Sequence, residues 1–117
     1  MKALPRTAVW TVSIFLALIF VFVGLSKLEG PSAARWNDRF SVWGYPPGSH
    51  RVVGVIEILG GGALLIPGLR RFAAATLIIV MAGAVFTHVI HAEFLRTIVP
   101  LFLAGLALLA LSPAVRP

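Results

Sequence analysis

The chain has 117 residues, of which 59% are hydrophobic and only 12% charged, and its formal net charge is +6. Soluble domains contain about 25% charged residues, so this composition indicates a protein that folds in a lipid bilayer. Cysteine is absent, which excludes disulfides, thiolate metal sites and a cysteine nucleophile. The basic residues lie in short segments between apolar runs, which argues against nucleic-acid binding. We expect one domain over residues 1–117.

Four apolar runs follow one another along the chain, each close to the length of roughly 20 residues with which a helix crosses a bilayer. They predict membrane spans at residues 9–25, 52–69, 72–90 and 97–112. The first run is longer than the apolar part of a signal peptide and has no cleavage site close behind it, so we expect an uncleaved helix. Short links favour antiparallel neighbours. The predicted fold class is all-α, an integral membrane four-helix bundle.

The long connection at residues 26–51 contains a helix of another kind. Pro31 is suited to the first turn of a helix, and aromatic residues then recur at helical spacing with charged residues opposite them. This pattern predicts an amphipathic interfacial helix over residues 31–43. Trp36 and Trp43 are expected to anchor this helix at headgroup depth rather than to stack on a ligand.

The distribution of basic residues gives the expected orientation. Five basic residues lie on the side of the chain termini and five on the side of the long connection, so their number alone does not decide. Those of the terminal side lie in very short segments, where the positive-inside rule acts best. We therefore expect cytoplasmic termini.

Ionisable residues from separate segments are expected at one membrane face, the face of the long connection. Glu57 lies within the second apolar run, where an acidic side chain costs about 2.5–3.5 kcal/mol and usually has a partner. Lys27 ends the first run on the same side, and the two could form a structural ion pair or belong to a functional site. His88 and His91 end the third run there, and Tyr45 lies in the connection above. These five residues are the candidate ligand or proton site.

A metal site is the weaker alternative for the histidines. His88 and His91 are three residues apart and could share a helix face, with Glu93 or Glu57 as a third ligand. The chain has neither an HExxH motif nor a thiolate, so the spacing of the two histidines is only a weak signal for zinc. We therefore interpret these residues as a polar helix end at the membrane interface and assign no metal site.

Short segments in a fixed order carry a resemblance to a known family. They lie at residues 22–28 (FVGLSKL), 43–46 (WGYP) and 53–61 (VGVIEILGG), and they continue into Met81 and His88. Together they cover most of the chain, and the sequence resembles the DoxX and DoxX-like family. The resemblance implies a four-helix bundle in the bacterial cytoplasmic (inner) membrane. The family is named after a subunit of a thiosulfate:quinone oxidoreductase.

The resemblance also implies a function for the polar residues. By matching positions, Lys27, Glu57 and His88 are the polar residues of the family, and they would line an amphipathic pocket under the interfacial helix. A quinone carbonyl needs a donor such as His88 or Lys27, and its reduction needs a proton route, which Glu57 could supply. The chain lacks an obvious metal, flavin or haem motif, so no covalently bound cofactor is expected.

Three functions follow from these expectations. The first is a small subunit or quinone- or lipid-binding component associated with a membrane oxidoreductase, in contact with that partner or with a second copy. The second is a structural assembly partner or chaperone without catalysis. The third is a small proton-coupled transporter, which we disfavour because such transporters carry their essential carboxylate in the first helix and this chain has none there.

Overall fold

The computed structural model of the chain describes residues 3–114, and within this range it is helical and contains no β-strand. Three stretches are long and apolar enough to cross a membrane. The all-α prediction is therefore confirmed. The helices are α1 (Arg6–Ser26), α2 (Gly30–Val42), α3 (Ser49–Ala63), α4 (Arg70–Ile90) and α5 (Ile98–Leu111), with a short 3-10 helix at Phe94–Thr97 before α5. The three candidate spans are Arg6–Ser26, Arg70–Ile90 and Phe94–Leu111.

The helix in the second apolar run is shorter than the run itself. It begins at Ser49 and ends at Ala63, and turns occupy the chain from there to residue 69. Three consecutive glycines near its end lower its helix propensity, and Pro67 cannot continue a helix. Arg70, expected in the following link, instead begins α4. With 15 residues, α3 is about 22 Å long, less than the roughly 30 Å of the hydrocarbon core.

Helices α1, α3, α4 and α5 pack around a common centre. Helix α1 lies against α3 and α5, while α4 lies against α5 and α3. The apolar core fills the half of this assembly nearer the chain ends, where Leu16, Leu77 and Ala107 are fully buried. The other half, nearer the long connection, is covered by α2, which contacts α3 and α1.

Helix α2 has one apolar face and one charged face. Ala33 and Phe40 are buried against the rest of the molecule, whereas Arg35 and Asp38 are exposed. The turn that follows α2 contains Gly44, whose φ of 89° is readily adopted only by glycine. The amphipathic character agrees with the sequence pattern, and the position of α2 in a membrane interface stays a prediction.

Candidate functional site

A cavity of about 600 Å³ lies beneath α2, in the half of the molecule that the apolar core does not fill. Side chains from all five helices and from Arg96 of the 3-10 helix line it, and most of them are apolar. The polar side chains that line it include Lys27 and Glu57 as well as Tyr45 and His88. The cavity therefore combines an apolar wall with a set of polar groups contributed by separate helices.

Lys27 and Glu57 form a buried ion pair at the cavity wall. The Lys27 ammonium lies 2.6 Å from Oε1 of Glu57, and the two residues are only 4% and 2% exposed. Lys27 directly follows α1, and Glu57 lies just past the middle of α3. A Cβ at Gly54 would lie 2.9 Å from Cβ of Lys27, so the glycine leaves room for the lysine stem to pass α3.

Trp36 of α2 covers the ion pair. Its ring centroid lies 4.1 Å from the Lys27 ammonium, a cation–π distance, and its indole Nε1 donates to Oγ of Ser26 at 3.1 Å. Because Ser26 precedes Lys27 in the chain, one tryptophan contacts two successive residues at the end of α1. Helix α2 thus closes the polar end of the cavity over the ion pair.

Glu93, between α4 and the 3-10 helix, connects α2 to α4. Its Oε1 accepts from Nε1 of Trp43 at 3.1 Å and lies 2.9 Å from Nδ1 of His88, while Arg96 lies 3.4 Å from Oε2. The hydrogen bond with His88 holds the pKa of the Glu93 carboxyl below its usual range, and Trp43 and Arg96 act in the same direction. A carboxylate only accepts, so Nδ1 of His88 carries the proton and Nε2 is left for other partners.

Tyr45 makes the second connection between the α2 segment and α4. Its hydroxyl lies 2.5 Å from Oγ1 of Thr87, and Thr87 donates to the carbonyl oxygen of Gly83 at 2.8 Å. Since the threonine proton is engaged with Gly83, Tyr45 is the donor in the shorter bond. The tyrosine is thereby fixed at the cavity wall by a residue buried on α4.

The cavity brings together four of the five candidate residues that the sequence predicts, namely Lys27, Tyr45, Glu57 and His88. His91 is not among the lining residues, and its Nδ1 lies 2.7 Å from the carbonyl oxygen of Thr87 at the end of α4. Within residues 3–114, no group of three or more histidine or acidic side chains could hold a metal ion. Whether the four lining residues bind a ligand stays a prediction.

Sequence reasoning missed the contacts of the tryptophans. Trp36 and Trp43 line the cavity and bond to polar groups there, which goes beyond the interfacial anchoring expected from their type. It also missed Thr87 and Arg39, which line the same cavity. The spacing of Trp36, Phe40 and Trp43 was an available signal. It places the three rings on one side of α2, so all three would contact the part of the molecule that α2 covers.

Comparison with known proteins gives the family. The family model of the DoxX-like family matches residues 11–111, a segment that reaches from α1 to the end of α5 and contains every residue of the cavity wall. No curated protein and no solved structure matches the chain. The match covers most of the 117 residues, and three helices have the length and composition of membrane spans. The chain therefore belongs to the DoxX-like family and is a membrane protein.

Proposed function

We propose that this protein holds an amphipathic ligand of the bilayer, a quinone or a lipid, in the cavity beneath α2. It would do so as a small subunit or associated component of a membrane oxidoreductase. The observation that carries the proposal is the cavity itself, which has a volume of about 600 Å³ and a mostly apolar wall. Ligand sites typically enclose roughly 300–1,000 Å³ and add a few convergent polar groups to an apolar lining. Lys27, Tyr45, Glu57 and His88 are those groups here.

The polar groups suit the head of such a ligand. A quinone carbonyl only accepts hydrogen bonds, and the Lys27 ammonium at the wall has further N–H donors besides the one that Glu57 accepts. Glu57, which accepts from Lys27 as a carboxylate, is the group that would take up and pass on the protons that follow electrons to a reduced quinone. The rings of Trp36 and Trp43 add flat apolar surface at the same end of the cavity.

The cavity reaches the outer surface of the molecule at a depth that favours entry from lipid. Ile79 and Val99 line it, yet they are 71% and 63% exposed. Ile79 is in the middle of α4, the tenth of its 21 residues. In a membrane this height corresponds to the hydrocarbon region. A ligand dissolved in the bilayer would therefore reach the cavity without crossing water.

The membrane placement belongs to the same proposal. Helices α1, α3, α4 and α5 would form the transmembrane bundle in the inner membrane of a bacterium, with α2 in the interface opposite the chain termini. The four acidic residues all lie in α2, α3 or the connections on that side, so the terminal side is uniformly basic. Basic residues near the membrane are attracted to anionic lipids, which are enriched in the cytoplasmic leaflet, so this distribution favours cytoplasmic termini.

The test fills the cavity and follows the ligand. A Cβ at Gly83 would meet nothing within 4 Å, and Gly83 lines the cavity, so Gly83→Leu places a side chain in the cavity without a backbone clash. Gly105→Leu is the matched control, because Gly105 also has open space around it but does not line the cavity. Native mass spectrometry and lipid extraction of the purified proteins measure what is bound.

We expect a quinone or lipid to co-purify with the unmodified protein and with Gly105→Leu at equal occupancy, and to be lost from Gly83→Leu. Equal occupancy in all three proteins would show that the ligand is not in the cavity and would overturn the proposal. A stoichiometric partner protein together with an empty cavity would instead favour the assembly-partner function.

A further inference from the structure

The charges around the cavity do not balance. Lys27 is neutralised by Glu57, but two more cations, Arg39 of α2 and Arg96 of the 3-10 helix, also line the cavity. Arg96 is 3.4 Å from Glu93, which is its partner. Among the residues that the structure describes, Arg39 has no ion-pair partner, and its guanidinium carbon lies 5.4 Å from the Trp36 ring.

One positive charge, that of Arg39, is therefore left over at the polar end of the cavity. A charged group beside a mostly apolar cavity is stabilised when it meets a charge of opposite sign. Guanidinium groups bind carboxylate and phosphate oxygens with strong charge-assisted hydrogen bonds.

We infer that the ligand of this cavity is an amphiphile with a negatively charged head, a carboxylate or a phosphate, which Arg39 and Arg96 bind while its apolar chain occupies the cavity. This inference rests on the proposed function and selects the lipid over the quinone, because the head of a quinone carries no negative charge. Arg39 enters from α2 and Arg96 from the segment before α5, so the head would bridge the covering helix to the rest of the molecule.

Other basic residues of the same membrane face serve as comparisons. Arg35 lies on α2 only four residues from Arg39, and it is exposed and does not line the cavity. A general attraction of anionic amphiphiles to a basic surface would involve Arg35 and Arg39 alike. Binding at a site within the cavity would depend on Arg39 and Arg96, which line it, and would not depend on Arg35.

The experiment compares ligands with the same chain and different heads. The probes are 9,10-dibromostearic acid, the corresponding dibrominated alcohol, and a dibrominated single-chain phosphate. They are titrated into the protein in phosphatidylcholine nanodiscs at about pH 9, where the carboxylate is ionised. Bromine quenches the fluorescence of tryptophans that it contacts. A Trp10→Phe background leaves Trp36 and Trp43, which both line the cavity.

We expect both anionic probes to bind at least about fivefold more tightly than the alcohol, and added salt to reduce this preference. Arg39→Gln and Arg96→Gln should each reduce the preference, whereas Arg35→Gln should retain it. The two anionic arms separate the sources, since a preference for the phosphate indicates a phospholipid head and one for the carboxylate a fatty acid.

Equal affinity for the alcohol and the anions would overturn the inference while leaving the proposed function intact. So would an equal loss of preference in Arg35→Gln and Arg39→Gln. Failure of every probe to quench the two tryptophans would count against the proposed function itself. Arg39 and Arg35 are both exposed, so neither substitution is expected to disturb folding, and circular dichroism of the variants checks this.

Discussion

The buried pair of Lys27 and Glu57 shows how single side chains determine the polar end of the cavity. Removing two charges from water costs several kcal/mol for each ion. The attraction between them offsets this cost only when the charged atoms are in direct, well-aligned contact. Here the charged atoms are 2.6 Å apart, and the Trp36 ring lies over the ammonium. A cation–π contact of this kind adds roughly 0.5–2 kcal/mol. Each charge is therefore stable at its position because the other one is present.

The first prediction is that the two residues are strongly coupled. Lys27→Met leaves an unpaired carboxylate and Glu57→Leu an unpaired ammonium, so each should lower the free energy of unfolding by about 3 kcal/mol or more. The double variant buries two apolar side chains and should recover to within about 1 kcal/mol of the unmodified protein. Unfolding in mild detergent with increasing SDS measures these values. Glu29→Leu, at an exposed acid, is the control, and additive losses in the double variant would contradict the coupling.

Residue patterns predicted this pair and not the other contacts of the site. Lys27 and Glu57 stand out because each is a lone charge at or within an apolar run, and such charges need partners. The bond between Trp43 and Glu93 joins residues 50 positions apart, and that between Tyr45 and Thr87 joins residues 42 apart. Those contacts depend on how α2 lies across the other helices, which no local pattern contains.

At the scale of the elements, the close approach of α1 and α3 positions the ion pair. A Cβ at Gly24 would lie 2.6 Å from the carbonyl oxygen of Gly54, and one at Gly54 would lie 2.8 Å from that of Gly24. Small residues allow helix backbones to touch in a bilayer, where no hydrophobic effect drives helices together. The same contact allows the short α3 to bring Glu57 to the lysine at the end of α1.

The second prediction compares two glycines of this pair of helices. Gly24→Ala would press its methyl group against backbone, and overpacking of this kind costs about 1–3 kcal/mol. Gly62→Ala is the control in α3, where a Cβ meets nothing within 4 Å, and removing a helical glycine should stabilise by roughly 0.5–1 kcal/mol. The same SDS titration measures both variants. Equal effects of the two substitutions would show that the contact of α1 with α3 is not tight.

Element boundaries were only partly predictable from the sequence. The length of the apolar runs identified the three long helices, because a run of roughly 20 apolar residues is typical of a transmembrane helix. The end of α3 was not identified, since the residues from Leu64 to Leu69 are mostly apolar although they form turns. Hydrophobicity reports where a segment lies in the membrane, whereas the glycines and Pro67 determine whether it is helical.

At the scale of the whole molecule, the chain is divided into a packed half and a half that contains the cavity. The packed half holds the apolar core beside the chain ends, and the cavity half lies beneath α2. The side of the cavity was predictable from the ionisable residues at the face of the long connection, whereas its shape depends on how α2 lies over the other helices. The cavity lies where α2 covers the ends of the other helices, and polar side chains such as Lys27 and Glu57 line it there.

The third prediction is the arrangement of the two faces in the membrane. Ser41 of α2 and Arg71 of α4 are exposed and are expected on opposite sides. Because the chain has no cysteine, Ser41→Cys and Arg71→Cys each give a single labelling site. In intact spheroplasts an impermeant maleimide should label Ser41→Cys and should reach Arg71→Cys only after lysis. Labelling of both variants from one side would contradict the four-span arrangement with its cytoplasmic termini.

The packed half has a consequence for energy conservation in the cell. Charged and titratable groups enter the molecule from the face that α2 covers, and the deepest of them is Glu57. Beyond it, the packed half is filled mainly by apolar side chains such as Leu16 and Ala110, together with the buried hydroxyl of Ser13 on α1. Protons move through protein along chains of water or polar groups, and the mostly apolar packing beyond Glu57 provides few such side chains. We therefore expect vesicles that contain this protein to hold a proton gradient as long as vesicles without it.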